Sequence, residues 1–311
     1  MKLIITEPMD FSPEGLKILK KKFEVISLDN ISKLSEYIHT ANILFVRLGI
    51  VFSREILSNA PNLKVICTPT TGLDHIDLDF CKENNIKIIS LKNEREFLNT
   101  IPSTAEHTWT LLMAINRKLN MACEHTKLKQ WNRNIFKSFN LKGKTLGILG
   151  LGRVGKQVAH FGNSFGMTVK GYDTNQSIKI KLVQNVTSVE ELFKISDFIS
   201  IHIPLNDSNI KFVNQNLIDL MKQKACIINT SRGKVWDEEA IAQALIKKRI
   251  RGVATDVIYK ELSSDYEKSP LFSVDQRQFN CIITPHIAGA TFDSMQMTED
   301  FIIKKLMTNV C

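Results

Sequence analysis

The spacing of apolar positions alternates along the chain between that of strands and that of helices. Short β-rich runs are each followed by a segment with helical spacing. After the first run, at residues 2–6, Ser12 is placed to cap a helix whose first position is Pro13. Leu16 and Leu19 then continue at helical spacing. The same alternation predicts strands at residues 24–28, 43–47, 63–68 and 86–90, and helices at residues 31–39, 53–59 and 77–84. Strands that alternate with helices indicate a parallel sheet.

A second alternating series follows a long predicted helix at residues 102–120 and a polar, basic stretch at residues 118–140. That stretch contains Trp131, Phe136 and Phe139, which predicts an exposed but partly packed excursion. Strands are then predicted at residues 144–149, 167–172, 197–202, 225–229, 252–257 and 281–284, and a last helix at residues 290–308. Six strands fit a complete dinucleotide-binding domain.

Length and composition narrow the class of protein. The chain has 311 residues, which favours two domains of about 150 residues each. Its net charge is +9, but the basic clusters at residues 20–22 and 247–249 end amphipathic segments, where cations favour the helix dipole. We therefore expect no nucleic-acid or membrane partner, only a modest preference for small anions. Apolar stretches fall short of the ~20 residues that span a bilayer.

The cysteines and the N-terminus bear on the cellular compartment. Six cysteines lie 14 to 103 positions apart, so no close pair predicts a metal site or a redox motif. They are interpreted as small apolar residues of a reducing compartment. The first apolar block is shorter than the ~7 residues of a secretory signal. A cytoplasmic protein without bound metal is expected.

A glycine motif marks the start of the second series. Gly150, Gly152 and Gly155 form the pattern G-x-G-x-x-G together with Leu151, Arg153 and Val154. The pattern alone is a weak signal, but here an apolar strand precedes it and an amphipathic helix follows it. Such a turn brings backbone amides and a helix N-terminus to a pyrophosphate. The segment therefore predicts a dinucleotide site.

Asp173 indicates which dinucleotide binds. It ends the second strand of the series, 18 positions after the last glycine, near the ~20 expected for a carboxylate that binds ribose. Residues 174–177 carry no cation that could accept a 2′-phosphate. The pattern favours NAD, with a solvated acid at a strand end as the alternative.

Several further segments resemble the D-isomer-specific 2-hydroxyacid dehydrogenases, which include phosphoglycerate dehydrogenases and glyoxylate or hydroxypyruvate reductases. The similarity covers nearly the whole chain. Besides the glycine motif it rests on residues 71–77, 105–107, 228–233, 256–257 and 284–291. The resemblance implies an α/β protein of two doubly wound parallel-sheet domains. A Rossmann NAD-binding domain at residues 101–288 is inserted into a flavodoxin-like substrate domain at residues 1–100 and 289–311.

By this resemblance Arg232, Glu261 and His286 form the catalytic set. The guanidinium of Arg232 can bind the carboxylate of a 2-hydroxy acid through paired hydrogen bonds. His286 can exchange a proton with the hydroxyl oxygen, and Glu261 would orient the imidazole and favour its protonated form. Leu262 stands where the family usually has proline, so Glu261 is the least certain member, with Asp265 and Glu267 nearby in the same loop.

The resemblance also assigns binding residues. Cofactor contacts are expected at Gly150, Gly152, Arg153, Val154, Gly155, Asp173, His202, Pro204, Thr230 and Asp256. Asp256 is the expected partner of the nicotinamide amide, although Thr255 before it departs from the usual apolar residue. Substrate contacts are expected at Thr71, Gly72 and Leu73, through backbone amides, and at Arg232. Arg47 lies where some relatives contact a substrate phosphate, and a solvated arginine is the equal alternative.

These assignments predict a hydride transfer between NAD and the second carbon of a small D-2-hydroxy acid or 2-keto acid. Candidates are 3-phosphoglycerate, hydroxypyruvate, glyoxylate or a larger sugar-derived acid. A homodimer is expected from the resemblance and from the aromatic excursion. The alternative from another class is a dinucleotide-sensing, corepressor-like binding protein of the same fold, which the complete set of Arg232, Glu261 and His286 disfavours.

Overall fold

The computed structural model describes residues 1–263 and 265–310 and divides the chain into two compact units. One unit comprises residues 1–101 and the segment from Ala290 onward, and the other comprises Pro102–Gly289. The boundaries expected from sequence stand one residue earlier at each junction. Ser264 and Cys311, which fall within the expected domains, lie outside the described residues.

The first unit is built on a five-stranded parallel sheet. Its strands are β1 (Lys2–Ile5), β2 (Glu24–Ser27), β3 (Ile43–Phe45), β4 (Val65–Cys67) and β5 (Lys87–Ile89). The order β2-β1-β3-β4-β5 is that of a flavodoxin-like doubly wound sheet. Its helices are α1 (Pro13–Lys22), α2 (Leu34–Tyr37), α3 (Arg54–Leu57), α4 (Leu78–Glu83), α5 (Arg95–Asn99) and, at the far end of the chain, α12 (Phe292–Val310).

Local signals explain where these elements begin. The Ser12 side chain accepts a hydrogen bond from the amide of Gly15 and Pro13 opens α1, as predicted. The helix predicted at residues 31–39 is instead broken into a 3-10 turn, the single turn of α2 and a second 3-10 turn. The last helix returns to this unit, and a Cβ atom on Gly15 would lie 2.4 Å from Ile303, so the glycine permits close packing of α12 on α1.

The second unit is built on a seven-stranded parallel sheet. Its strands are β6 (Thr145–Leu149), β7 (Thr168–Tyr172), β8 (Val183–Asn185), β9 (Phe198–Ile201), β10 (Cys226–Asn229), β11 (Gly252–Thr255) and β12 (Cys281–Ile283). The order β12-β11-β10-β9-β6-β7-β8 contains the doubly wound order of dinucleotide-binding domains. The prediction of two doubly wound parallel sheets is therefore confirmed. The expectation of six strands in this unit is wrong, because β8 is a polar edge strand, Val-Gln-Asn, that has no apolar run to mark it.

The helices of the second unit cover both faces of its sheet. They are α6 (Ser103–Arg117), α7 (Leu119–Lys127), α8 (Arg153–Ser164), α9 (Val189–Ile195), α10 (Gln215–Leu220) and α11 (Glu238–Ile246). Two apolar clusters form its core, as expected for a parallel sheet buried on both faces. Among the described helices of the whole chain, none has the length and apolar character that crossing a bilayer requires.

Candidate active site

The glycine loop joins β6 to α8 with the geometry that its pattern predicts. Gly150 has a φ of +96°, and a Cβ atom there would lie 2.6 Å from the carbonyl oxygen of His202. A Cβ atom on Gly155 would lie 2.1 Å from the carbonyl oxygen of Gly150, so α8 starts directly against the loop. Packing explains both glycines. At Gly152 a Cβ atom would meet nothing within 4 Å, which leaves a bare backbone at the helix N-terminus, where a pyrophosphate fits.

Asp173 lies beside this loop at the end of β7. Its Oδ2 accepts a hydrogen bond of 2.8 Å from the amide of Leu151, and its Oδ1 accepts one of 2.9 Å from the amide of Asn175. The carboxylate is thus held next to the glycine loop and is partly exposed. A carboxylate in this place accepts a ribose hydroxyl and repels a 2′-phosphate. The residues present therefore fit NAD.

The other predicted cofactor residues follow neighbouring strands. Arg153 opens α8, where Val154 packs against the core, and His202 follows β9, two residues before Pro204. Loss of solvent and the charge of Arg153 lower the pKa of His202 to about 3, so this ring is neutral at ordinary pH. Its Nε2 lies 2.8 Å from the hydroxyl of Ser200. A ring with so low a pKa is unsuited to be the acid of the reaction.

The strongest arrangement in the site is the pair of Glu261 and His286. Oε1 of Glu261 lies 2.7 Å from Nδ1 of His286, and the two side chains are 21% and 24% exposed. His286 follows β12 in the left-handed backbone region with a φ of 54°. Its amide donates to the carbonyl oxygens of Asp256 at 2.9 Å and Thr284 at 3.0 Å. The structure brings two of the three predicted catalytic residues into direct contact.

Arg232, the third residue, follows β10, two strands from β12 in the sheet. Asn229 shapes this strand end, because its Oδ1 accepts from the amide of Ser231 at 3.0 Å and its Nδ2 donates to the carbonyl oxygen of Arg232 at 3.0 Å. Thr230 is buried with its hydroxyl 2.7 Å from that of Thr108. The carboxyl ends of parallel strands meet at one edge of a sheet, so Arg232, Asp256 and His286 share the edge that carries the glycine loop.

Asp256 is the most heavily bonded of the predicted cofactor residues. It is 1% exposed and accepts hydrogen bonds from the hydroxyl of Thr284 at 2.6 Å and from the amides of Ile287 at 2.9 Å and Ala288 at 2.7 Å. Nε2 of His107 lies 3.3 Å away. Burial disfavours its charge, but the bonds from His107, Thr284 and the two amides outweigh burial and lower its pKa. Asp256 therefore holds the loop that presents His286, a role that the sequence did not predict.

The predicted substrate loop lies in the first unit, after β4. The hydroxyl of Thr70 donates to the carbonyl oxygen of Gly72 at 2.8 Å and lies 2.9 Å from the hydroxyl of Thr68, which in turn approaches the buried His75 at 3.3 Å. These contacts hold Thr71, Gly72 and Leu73, which are exposed or half-buried.

Arg47, in the same unit, does not offer the open cation that a substrate phosphate requires. Its guanidinium bonds Oε1 of Glu299, with the Nε contact at 2.9 Å, and donates to the carbonyl oxygen of Met9 at 2.7 Å. Glu299 is fully buried and also accepts from the amide of Ser12 at 2.8 Å. The structure therefore does not support the predicted phosphate contact, because the charge of Arg47 balances a buried carboxylate within its own unit.

Taken together, the glycine loop with an acid after the next strand and the carboxylate–histidine pair at the same sheet edge place the second unit in the doubly wound α/β class of dinucleotide-binding domains. Residues 109–288 match the family described as D-isomer specific 2-hydroxyacid dehydrogenase, NAD binding domain. The chain belongs to this family, and the family assignment expected from its motifs is confirmed.

Individual relatives agree with the assignment. The chain is 33% identical to a D-3-phosphoglycerate dehydrogenase of Methanocaldococcus jannaschii, over 98% of this chain and 57% of that protein. It is 31% identical to a hydroxypyruvate reductase of Thermotoga maritima, over 97% of this chain and 96% of that one. The D-lactate dehydrogenase of Aquifex aeolicus, solved with NAD and lactic acid, superposes with a TM-score of 0.85 at 29% identity, covering 100% of this chain and 95% of that one. The chain thus spans little more than half of the first relative.

Proposed function

We propose that this protein is an NAD-dependent oxidoreductase that interconverts small D-2-hydroxy acids and 2-keto acids. The observation that carries the proposal is the 2.7 Å contact between Glu261 and His286, at the sheet edge that also bears Arg232 and the glycine loop. A histidine bonded to a carboxylate can act as a general acid and base, and an arginine at the same sheet edge can bind a substrate carboxylate. The named relatives are enzymes, and no described residue favours the cofactor-sensing alternative.

Each residue of the set has one task in this proposal. NAD, when bound, supplies or accepts the hydride at the substrate's second carbon. Because Nδ1 of His286 faces Glu261, Nε2 is the nitrogen that gives a proton to the carbonyl oxygen in reduction or takes it from the hydroxyl in oxidation. Glu261 stabilises the charged ring, and Arg232 holds the carboxylate through paired hydrogen bonds.

The pairing of Arg47 supports a choice among the candidate substrates. Arg47 is paired with the buried Glu299, which argues against its use as a phosphate ligand. Hydroxypyruvate and glyoxylate are therefore preferred over the keto acid derived from 3-phosphoglycerate. The backbone amides of Thr71, Gly72 and Leu73 remain proposed substrate contacts.

A panel of 2-keto acids tests this function. The purified protein is mixed with NADH and glyoxylate, hydroxypyruvate, phosphohydroxypyruvate, pyruvate or 2-oxoglutarate, and the loss of NADH absorbance is followed. We expect turnover of at least one small unphosphorylated acid and its loss, by ~10² to 10⁴-fold, in His286→Ala. Tight NADH binding without turnover of any acid would instead favour the cofactor-sensing alternative.

We further propose a homodimer in the cytoplasm. The excursion after α6 exposes large apolar side chains, Leu128 at 68% and Trp131 at 93%, which burial against a second copy would cover. Phe136 packs against His125, and Phe139 is only 38% exposed, so Trp131 is the main candidate. Buried free thiols at Cys67, Cys81, Cys226 and Cys281 suit a reducing compartment. Light scattering should give twice the chain mass, and Trp131→Glu should lower it.

A further inference from the structure

Glu238 is a buried acid at the start of α11 for which the sequence predicts no role. It is only 6% exposed, whereas the next residue, Glu239, is exposed. Acids in the first turn of a helix usually face solvent, where they interact with the helix dipole. Burying a carboxylate is unfavourable unless its oxygens are hydrogen-bonded, so the partners of Glu238 indicate why it lies inside.

Both oxygens of Glu238 are bonded. Oε1 accepts a hydrogen bond of 2.6 Å from the amide of Tyr259, and Oε2 accepts one of 2.7 Å from the hydroxyl of Ser269. Burial raises the pKa of Glu238, and the bonds from Ser269 and Tyr259 oppose the rise. The side chain thereby joins the start of α11 to the loop that follows β11.

That loop carries Glu261, whose Oε2 accepts a hydrogen bond of 3.4 Å from the amide of Ile258. The hydroxyl of Thr255 donates to the carbonyl oxygen of Val257 at 2.6 Å, which fixes the beginning of the loop. Glu238 fixes Tyr259, and Lys260 then adopts the left-handed region with a φ of 59°. A left-handed lysine persists only where its neighbours hold it. Glu261 comes next, so its direction depends on the hold at Tyr259.

The same loop is packed against the segment of Arg232. A Cβ atom on Gly233 would lie 2.1 Å from the carbonyl carbon of Ile258, so the two backbones are in direct contact. Glu238 holds the residue after Ile258. Gly233 therefore limits movement at Ile258 itself, and loss of the Glu238 bond frees the loop from Tyr259 onward, where Glu261 stands.

We propose that Glu238 is a positioning residue, which sets where Glu261 meets His286 by holding the Tyr259 amide. The inference rests on the proposed function. Glu238 touches neither substrate nor cofactor in this role and acts through Glu261 alone.

Three single variants test the role. Glu238→Ala removes both contacts, whereas in Glu238→Gln the amide oxygen still accepts from Tyr259 and the amide nitrogen can bond Ser269. Glu239→Ala, on the exposed neighbour, is the matched control. We expect Glu238→Ala to lower kcat about 10 to 100-fold through misplacement of Glu261, with the NADH Kd within twofold of the parent. Glu238→Gln should stay within about threefold of the parent, and Glu239→Ala should equal it.

A double variant separates positioning from mere stability. If Glu238 acts through Glu261, Glu238→Ala combined with Glu261→Gln should be no slower than Glu261→Gln alone. A kcat reduced by the product of the two single effects would overturn the proposal. So would a Glu238→Ala protein with parental kcat and parental pH profile but a lower Tm. Should Glu238→Ala not fold, Glu238→Asp, one methylene too short to reach both partners, takes its place with the same expectations.

A measurement without substrate keeps this test independent of the proposed function. The ring nitrogens of His286, assigned by comparison with His286→Ala, are followed by NMR at one pH as a probe of the contact with Glu261. In Glu238→Ala the Nδ1 signal should move in the same direction as in Glu261→Gln, because both variants weaken this contact, while Glu238→Gln should leave it unchanged. An unchanged Nδ1 signal in Glu238→Ala would overturn the positioning role. Lack of turnover by the parent protein would contradict only the proposed function.

Discussion

Nδ1 of His286 lies 2.7 Å from Oε1 of Glu261, although the two residues are 25 positions apart in the chain. The contact leaves the opposite ring nitrogen for the substrate and places a negative charge where it favours the protonated imidazole. The proposed proton transfer depends on this pair.

Glu261→Gln should shift the pH dependence of the reaction without abolishing cofactor binding. The substitution keeps the shape of the side chain but removes the charge that favours the protonated ring. Keto-acid reduction needs that ring form, so its alkaline limb should move to lower pH, and hydroxy-acid oxidation should also begin at lower pH. The measurement is kcat/KM against pH in both directions. If both pH profiles coincide with those of the parent, the partner of His286 would have to be Asp265 or Glu267 and not Glu261.

Arg232→Lys should impair both substrate affinity and rate. An ammonium group cannot reproduce the paired hydrogen bonds that a planar guanidinium makes to a carboxylate. We expect KM for the keto acid to rise and kcat to fall, each by about tenfold or more, with the NADH Kd unchanged. Lys234→Ala, two residues on and exposed, is the control. Parental kinetics in Arg232→Lys would remove this residue from the mechanism.

Asp173 should make the protein prefer NADH to NADPH by at least tenfold in Kd, or ~1.4 kcal/mol. Its carboxylate lies beside the glycine loop, where a 2′-phosphate would meet a like charge. Asp173→Asn retains an acceptor for the Leu151 amide but loses the charge, so the preference should narrow. Fluorescence titration of both dinucleotides measures it. Equal affinities in the parent would show that Asp173 does not discriminate.

Arg47→Ala should destabilise the protein by about 3 to 5 kcal/mol, because it leaves the fully buried Glu299 without its partner. Arg54→Ala breaks the exposed pair with Glu83, whose side chains are 51% and 56% exposed, and should cost no more than about 1 kcal/mol. Urea denaturation of both variants gives the comparison. A similar small loss in both would mean that the Arg47 pair is solvated in solution.

His202 should make the cofactor-free protein less stable in acid. Its pKa is about 3 in the folded chain against 6.5 for an ordinary histidine, so below pH 6.5 the unfolded chain binds a proton that the native state does not. Stability then falls as the pH is lowered. Between pH 7 and pH 5, the free energy of unfolding of His202→Gln should fall by about 1 to 2 kcal/mol less than that of the parent, after allowance for partial exposure. Urea denaturation at both pH values measures this, and His39→Gln, an exposed site, should behave as the parent.

The sequence by itself determined most of the architecture, because the signals involved are local. Alternating periods placed eleven of the twelve strands found among the described residues, and Ser12 with Pro13 placed the start of α1. The glycine loop could also be predicted from the sequence, because its strand, its three glycines and its helix are adjacent in the chain. The missed strand, β8, contributes only edge pairing to β7 and has no period of its own.

Tertiary structure alone decided what the charged side chains do, because their partners are remote in sequence. Arg47 meets Glu299 across 252 positions, which turns an expected phosphate ligand into half of a buried ion pair. Asp256 is held by amides 31 and 32 positions away, and so supports the His286 loop. Glu238 looks like any acid in the first turn of a helix, and only the folded chain buries it against Tyr259. The residue type gives the charge of a side chain, but whether that charge is solvated, paired or buried depends on which distant segments fold around it.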